Sequence, residues 1–411
     1  MIAAGTTLAT AGLAVGGLGL LSVFALYPLL LRLLPSRRRP APEPRPDEAS
    51  PTVSVIVAVR NGGALIDAKL ANLAALQYPA EALQIIVASD GSTDDTESRV
   101  RQHRDARILL LSSPGHQGKA ASLNRAVDRA NGELLLFSDA DALLAPDALQ
   151  RLVTRFAEPK IGGVCGQRRI GEPGTFAHGA QASYVNADSA IKLMESRSGS
   201  VTANDGKIYC IRRALYAPIP EAVTDDLFTC LNVVAQGHRF VFEPEAVAYI
   251  RVPARSAGHE LRRRRRIVSR SLRGILQMRR LLNPLRYGRF AIGLAINKVG
   301  RRLLPLWLLL VLVSSAALAP HHLWAQLLLG AQLALYGLAA LHPFAPRRPR
   351  GFARLTGIPF FFCLGSWGTL LGLLDLLLDR RHSRWDPEKG DREASGRPTA
   401  ASSASPSVEQ L

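Results

Sequence analysis

The chain has 411 residues, of which 47% are hydrophobic and 20% are charged, and this composition excludes a wholly disordered chain. The four cysteines form no C-x-x-C pair, which excludes a disulfide scaffold and disfavours structural zinc. The net charge of +18 is concentrated in residues 251–302, where sixteen Arg and Lys residues accompany one acidic residue, Glu260. A basic segment that leads into an apolar stretch is typical of the cytosolic face of a membrane, with nucleic acid as the rival partner.

The N-terminal region is predicted to be a membrane anchor. The run from Leu8 to Leu31 is uncharged and long enough to cross a bilayer core of about 30 Å. A cleaved signal peptide is the alternative, but neither a basic segment before the run nor a small-residue cleavage site is present. Arginines follow the run and place the next residues in the cytosol. We expect a transmembrane anchor over 1–34 and a Pro-rich linker over 35–50.

Residues 51–255 are predicted to form a cytosolic α/β domain. Four apolar runs predict strands at Val53–Val59, Gln84–Ser89, Ile108–Leu111 and Leu134–Ser138. Helical spacing separates them, with a helix after Gly63 and further helices at 94–103 and 120–130. This alternation predicts an open, mostly parallel sheet with helices on both faces.

Acidic residues follow two of these strands. Asp90 follows the second strand, and Asp139 and Asp141 follow the fourth. Ligands of open α/β sheets bind beyond the carboxyl ends of the strands. Residues i and i+2 of an extended segment project to the same side, so Asp139 and Asp141 are candidates to share Mg²⁺ or Mn²⁺. A solvated turn or a helix cap is the alternative at both places.

Two further segments carry candidate site residues. Lys119 enters a predicted helix after Gly118, where its ammonium group is placed to neutralise a diphosphate, although the segment fails the Walker A pattern. Asp225 and Asp226 are adjacent, so their repulsion is expected to raise the pKa of one carboxyl and make it a candidate general base. The alternative for this pair is a solvated helix start.

The basic region 256–302 is predicted to form interfacial helices. Arg262–Arg266 are five consecutive arginines, which either touch anionic lipid or face a phosphate-bearing substrate. Nucleic acid is disfavoured because no aromatic residues interleave with the arginines and the segment adjoins the membrane.

Residues 303–379 carry three more candidate spans: Leu303–Ala319, Leu323–Leu341 and Ile358–Leu378. The third contains Asp375 and precedes arginines that would lie outside if it crossed, against the positive-inside tendency. It either crosses, which gives four crossings in total and is favoured, or lies in the interface, which leaves three. The tail 380–411 is predicted to be disordered.

Together these motifs resemble the membrane-bound family-2 glycosyltransferases of GT-A fold, including the cellulose and poly-N-acetylglucosamine synthases. The resemblance covers about residues 50–275. The segments that carry it stand in the family's order: VSVIVAVRN (53–61), ASDGSTDDT (88–96), GKAASLNRAV (118–127), FSDADALL (137–144), GKIYCIRRALY (206–216), VTDD (223–226), FEPEAVAY (242–249) and ELRRRRRIV (260–268).

The resemblance implies roles for the acidic residues. Asn61 and Asp90 would hold the nucleotide of an activated sugar, together with Lys119. Asp139 and Asp141 would match the D-x-D motif that binds the nucleotide and the metal. Asp226 would match the last acid of the T-E-D motif, the catalytic base, with Asp225 where Glu is usual.

The arginine run matches the Q-R-x-R-W motif of processive synthases only in part. Arg264 and Arg266 match its arginines, while Arg263 replaces Gln and Ile267 replaces Trp. That Trp stacks on the acceptor sugar in polysaccharide synthases, so its replacement argues against processive synthesis. These three arginines are candidates to bind the acceptor or the diphosphate.

The sequence therefore predicts an inverting glycosyltransferase in the cell membrane, multi-pass, with its catalytic domain in the cytosol. We expect Mg²⁺ or Mn²⁺ as cofactor, a nucleotide-sugar donor such as a UDP-sugar, membrane lipid as a partner and no nucleic acid. The acceptor would be a lipid-linked sugar or an exopolysaccharide. One alternative is a processive polysaccharide synthase that exports its product; another is a non-catalytic protein that binds anionic lipid or polymer through Arg262–Arg266.

Overall fold

The computed structural model describes residues 2–35, 50–171, 180–250, 257–347 and 350–380. Most of the predicted linker (36–49) and of the predicted disordered tail (381–411) therefore lies outside the described residues.

One eight-stranded sheet forms the middle of the soluble domain, in the order β3-β2-β1-β4-β7-β6-β8-β5. Its strands are β1 (Val53–Val59), β2 (Leu83–Ser89), β3 (Ile108–Ser112), β4 (Leu134–Phe137), β5 (Ala142–Leu144), β6 (Ile161–Ile170), β7 (Tyr209–Arg212) and β8 (Arg239–Ile250). The four strands predicted from the sequence are confirmed as β1 to β4, and they pair in parallel. The rest of the sheet is mixed, because β7 runs antiparallel to both β4 and β6, and β5 antiparallel to β8.

The soluble-domain helices are α3 (Gly63–Ala74), α4 (Thr96–Gln102), α5 (Lys119–Val127), α6 (Ala148–Thr154), α7 (Ala180–Ser198) and α8 (Asp225–Ala235).

The residues of β1 alternate between two hydrophobic cores, because successive side chains of a strand point to opposite faces. Val53, Val55 and Val57 face a core shared with α3 and α6. Ile56 and Ala58 face the other core, shared with α5 and α8. This two-sided burial explains why the strand is continuously apolar.

Parallel pairing brings the carboxyl ends of β1, β2 and β4 to one edge of the sheet. Val59 lies opposite Ser89, and Ile56 lies opposite Phe137. The loops that begin at residues 60, 90 and 138 therefore start side by side, and they carry the predicted site residues Asn61, Asp90, Asp139 and Asp141.

Apolar helices flank this domain: α1 (Ile2–Leu21), α2 (Tyr27–Leu33), α12 (Leu304–Leu318), α13 (Leu323–Leu341) and α14 (Arg350–Leu377). Among the described residues, three helical segments are long and apolar enough to cross a membrane: Gly5–Leu33, Leu323–Phe344 and Leu355–Leu377. A fourth is reached if Arg289–Gly300 and Leu304–Leu318, bent by 66°, count as one span. The first helix packs antiparallel to α12, since Gly12 lies against Ser314 and Gly19 against Trp307.

The basic region contains α9 (Ala257–Gln277), α10 (Pro284–Tyr287) and α11 (Arg289–Gly293). The second half of α9 belongs to the soluble domain, because Val268, Leu272 and Ile275 are buried in the core shared with α8. The outer side of α9 packs against α14. There Asp375, 1% exposed, binds Arg265 with both carboxylate oxygens.

Candidate active site

Asp90 shapes the loop that leads into α5. Its side chain is fully buried at the end of β2. Oδ1 accepts a hydrogen bond from the Gln117 amide at 2.7 Å, and Oδ2 accepts one from the Gly118 amide at 2.9 Å. His116 Nδ1 lies 2.7 Å from Oδ2. Gly118 has a φ of +94°, which favours glycine, so the loop bends sharply around the carboxylate and delivers Lys119 as the first residue of α5.

Asn61 joins the loops that follow β1 and β2. Its Oδ1 accepts hydrogen bonds from the backbone amide of Thr93 at 2.8 Å and from the Thr93 hydroxyl at 3.3 Å. The residue is exposed and has a φ of +48°, which asparagine tolerates better than most residues. The structure thus places Asn61 next to the loop of Asp90, at the rim of the edge.

Lys119 connects two acidic segments that are far apart in the sequence. Its Nζ lies 2.9 Å from Asp139 Oδ1 and 2.8 Å from Asp225 Oδ2. Burial disfavours the charged lysine, but the carboxylates of Asp139 and Asp225 outweigh it and raise the pKa of Lys119 above its usual value. This lysine therefore stays positively charged between the two acidic segments.

Lys207 is a site residue to which the sequence analysis assigned no role. Its Nζ lies 2.7 Å from Asp141 Oδ1 and 3.0 Å from Asp139 Oδ2. Burial would raise the pKa of Asp139, but Lys119 and Lys207 outweigh it and hold that pKa well below its usual value. The only sequence signal was its position in the segment 206–216, two residues before a strand.

Asp225 and Asp226 open α8, after Thr224 in the N-cap position. Asp226 Oδ1 accepts a hydrogen bond from the Leu227 amide at 2.7 Å. Burial, followed by repulsion from Asp225, raises the pKa of Asp226 from 3.8 to about 6. Gly206 lies close by, since a Cβ there would come 3.3 Å from Asp226 Oδ2, so the loop before Lys207 packs closely against this acid.

The acidic and basic side chains border a small pocket at the sheet edge. Lys119, Asp139, Gly206 and Asp225 line it, together with the stacked rings of Phe137 and Tyr209, whose centroids are 4.8 Å apart. The pocket is thus lined by charged side chains and by two aromatic rings. Asp139, which follows β4, and Asp225, which opens α8, meet in this pocket although 85 residues separate them in the sequence.

The arginine run lies on α9, one helix away from the pocket. Arg263 and Arg264 lie 3.3 Å and 3.7 Å from Glu260 Oε1, one turn earlier on the same helix. Arg270, which was not among the predicted site residues, contacts the segment that leads to Asp225 and Asp226. Its Nε and Nη2 donate to the Val223 carbonyl at 3.0 and 2.6 Å, two residues before Asp225. Arg266 lies four residues before Arg270 and so on the same face of α9.

Asp139 and Asp141 are suited to a divalent cation. In the described ranges no three His, Cys, Asp or Glu side chains come together as a metal site. One cationic group nevertheless contacts both carboxylates, since Lys207 Nζ touches an oxygen of each. Mg²⁺ and Mn²⁺ commonly bind one or two carboxylates and complete their coordination with substrate phosphates and water. The donor set therefore fits such a cation if a diphosphate supplies the remaining oxygens.

Comparison with known proteins identifies the family of the chain. Residues 51–269 match the family model described as "Glycosyltransferase like family 2". The poly-beta-1,6-N-acetyl-D-glucosamine synthase of Staphylococcus aureus (strain COL) is 25% identical over 215 residues, and that of Staphylococcus epidermidis is 24% identical over 215 residues. These alignments cover 50% of this chain and 51% of each relative, so the chain spans about half the length of the curated relatives it matches.

A solved structure shows the same fold. A mannosyltransferase from Pyrobaculum calidifontis, in complex with GDP-Man and Mn²⁺, superposes with a TM-score of 0.67 at 24% identity, covering 93% of this chain and 100% of that one. The two chains therefore share their overall fold, and the α/β domain of this protein has the GT-A fold. Since the family model covers more than half of the sequence, from β1 into α9, the protein belongs to glycosyltransferase family 2.

Proposed function

We propose that the protein transfers a sugar, with inversion, from a nucleotide-sugar donor to a membrane-associated acceptor. The observation that carries this proposal is the junction at the sheet edge, where Lys119 bridges Asp139 and Asp225 beside Asp226. Lys119 thus connects Asp139, a candidate ligand for the donor's metal and phosphates, with the segment that carries the candidate base. Family membership favours such a catalyst over the non-catalytic lipid- or polymer-binding alternative.

The donor side of the proposed site consists of three loops. Asn61 and the loop held by Asp90 lie where the nucleoside would bind, as the resemblance implies. Asp139 and Asp141 would hold Mg²⁺ or Mn²⁺ against the diphosphate. The chemistry supplied by that cation is neutralisation of the charge on the leaving diphosphate. Lys119 and Lys207 add two ammonium groups that orient the same carboxylates and attract the donor phosphates.

On the acceptor side of the proposed site, Asp226 is the general base. A base with a pKa of about 6 is ionised at neutral pH yet still basic enough to accept a proton from an attacking hydroxyl. Asp225 contributes by repulsion, which raises this pKa, and by holding Lys119. Attack from the face opposite the leaving diphosphate inverts the anomeric carbon, as in the family that the sequence resembles.

The acceptor would approach along α9, which carries Arg263, Arg264 and Arg266. Arg270 on the same helix contacts the carbonyl of Val223, so the basic helix and the acidic segment are directly connected. We propose that this basic surface binds the phosphate of a lipid-linked acceptor or of the leaving diphosphate. Processive synthesis of an exopolysaccharide remains the second candidate, because the two staphylococcal relatives are polysaccharide synthases by name.

We further propose that the soluble domain lies in the cytosol and that α14 does not cross the membrane. Its first half packs beside the end of α13, where His342 lies 3.0 Å from the Thr356 hydroxyl. Its second half follows α9, with Gly372 against Val268, and beyond it Asp379 paired with Arg273 at 2.5 Å. Both ends of α14 then lie on the side of the catalytic domain. The arginines after α14 would lie there too, in agreement with the positive-inside tendency.

The test uses the detergent-purified full chain and a panel of nucleotide sugars with Mn²⁺ or Mg²⁺. Released nucleoside diphosphate is measured for the wild type, for Asp226→Asn and for Asp128→Asn, a control at an exposed carboxylate at the end of α5. Metal-dependent release from one donor, lost only in Asp226→Asn, is the expected result. If no donor binds in calorimetry even with metal, the proposed function is wrong.

A further inference from the structure

A buried lysine on α3 contacts the loop that carries Asp139 and Asp141. Lys69 is fully buried although the other buried side chains of its helix, Ile66, Leu70 and Leu73, are apolar. Its Nζ donates to the Ser138 hydroxyl at 2.7 Å and to the Ala142 carbonyl at 2.6 Å. These two residues stand immediately before and immediately after the segment 139–141. Lys69 therefore joins both ends of the loop that carries the two candidate metal ligands.

Asn72 lies one turn further along α3 and holds the strand that leaves this loop. Its Nδ2 donates to the Leu144 carbonyl at 2.8 Å, and its Oδ1 accepts from the Leu144 amide at 2.8 Å. This pair of bonds satisfies both backbone groups of Leu144 from one side chain. Two residues of a single helix thus hold the segment 138–144 against α3.

The connection continues from the loop to Lys207. The Ser138 hydroxyl, which accepts from Lys69, donates to the Lys207 carbonyl at 3.0 Å. The side chain of Lys207 in turn contacts Asp139 and Asp141. A change at Lys69 is therefore transmitted to the acids both through their own backbone and through Lys207.

An ammonium group at this depth costs stability. Burial lowers the pKa of Lys69 to about 7, against the opposing effect of Asp139 and Asp141. Its two hydrogen bonds offset part of that cost, and removal of the lysine would leave buried acceptors without this donor. Methionine would fill the same space without binding the loop, so the feature that distinguishes the lysine is its contact with Ser138 and Ala142.

We propose that Lys69 and Asn72 are positioning residues of the donor site, which hold the segment 138–144 so that Asp139 and Asp141 can bind one divalent cation together with a nucleoside diphosphate. This inference rests on the proposed function, because it requires the cation and diphosphate at these two acids. Partners behind metal ligands typically contribute ten- to hundred-fold in metal affinity.

The test measures Mn²⁺ binding by electron paramagnetic resonance, with UDP or GDP present, on the full-length protein in detergent. Lys69→Met and Asn72→Ala are compared with Lys160→Met, a control at an exposed lysine, and with Asp139→Asn. We expect Mn²⁺ affinity to fall about ten- to hundred-fold in Lys69→Met and Asn72→Ala, with a lower melting temperature in Lys69→Met because the Ala142 carbonyl loses this donor. Should Lys69→Met fail to fold, Ser138→Ala breaks the same connection with a smaller change and is expected to weaken Mn²⁺ binding as well.

The outcomes separate the two proposals. If Asp139→Asn weakens Mn²⁺ binding while Lys69→Met and Asn72→Ala do not, the positioning role is wrong and the proposed donor site stands. If the wild type binds no Mn²⁺ with either nucleotide, the donor site at Asp139 and Asp141 is wrong and the positioning role falls with it. An equal loss of affinity in Lys160→Met would show a non-specific charge effect and would also overturn the positioning role.

Discussion

Substitution of Asp226 by asparagine tests the proposed chemistry most directly. The asparagine side chain keeps the size of the acid and can still accept the hydrogen bond from the Leu227 amide, but it cannot accept a proton from an acceptor hydroxyl. Removal of a general base typically costs about 10²- to 10⁴-fold in rate. This loss corresponds to about 3–5 kcal/mol in activation free energy.

The same substitution is expected to leave the fold intact or to stabilise it. The difference between the usual pKa of 3.8 and the value of about 6 for Asp226 corresponds to about 3 kcal/mol. A carboxyl whose pKa is higher in the folded than in the unfolded chain favours folding while it is protonated. Its contribution is complete below about pH 4 and is lost as the pH rises through about 6. Above pH 6 the wild type therefore carries a cost that Asp226→Asn does not have.

The assay combines turnover with thermal unfolding between pH 4.5 and 8. Wild-type kcat/KM is expected to rise with an apparent pKa near 6, and this rise should be absent from the residual activity of Asp226→Asn. At pH 7.5 the melting temperature of the variant should equal or exceed that of the wild type, while Asp128→Asn changes neither quantity. A variant that keeps the wild-type pH profile and more than about a tenth of wild-type turnover would refute the general-base role.

Three other predictions concern the neighbours of this acid and the membrane helices. Asp225→Asn removes the charge that repels Asp226, so the rise of kcat/KM should move to lower pH; a rise that stays near pH 6 would show that burial alone sets this pKa. Lys119→Met leaves Asp225 without this cationic partner, while Lys207 still contacts Asp139. Thermal stability at neutral pH should therefore fall. The loss should be smaller than the about 3–5 kcal/mol that follows when a fully buried pair is broken. An unchanged melting temperature would contradict a stabilising role for that bridge. An alkaline phosphatase reporter that works only outside the cytosol should be inactive when fused after residue 380; activity there would show that α14 crosses the membrane.

Local patterns in the sequence were sufficient for the first half of the fold. Continuous apolar runs predicted β1 to β4, because strands covered on both faces need no polar alternation. The placement of Asp90 and Asp139 at one edge followed from parallel pairing alone. The mixed second half was not predicted, since the antiparallel position of β7 beside β4 depends on contacts between residues more than seventy positions apart.

Other features of the site were decided only by the tertiary structure. The sequence singled out Asp139, Asp225 and Lys119, but the bridge between them required α5, β4 and α8 to converge. Lys69 lies in no motif, and Lys207 is marked only by its place in the segment 206–216. A lone lysine in a sequence is most often a solvated side chain. Their roles depend on burial beside carboxylates and hydroxyls.

The arginine run shows the same division between local and tertiary information. Its composition indicated a basic helix at the membrane, which follows from charge and neighbouring hydrophobicity alone. The rotation of α9 against α8 and α14 decides which arginine makes which contact. In the structure Arg270 contacts the Val223 carbonyl, and Arg265 pairs with the buried Asp375. The sequence by itself thus determined the class of fold and the chemical types at the site. Tertiary packing decided which side chains meet, because contacts across a sheet and between helices are set by three-dimensional register and not by spacing along the chain.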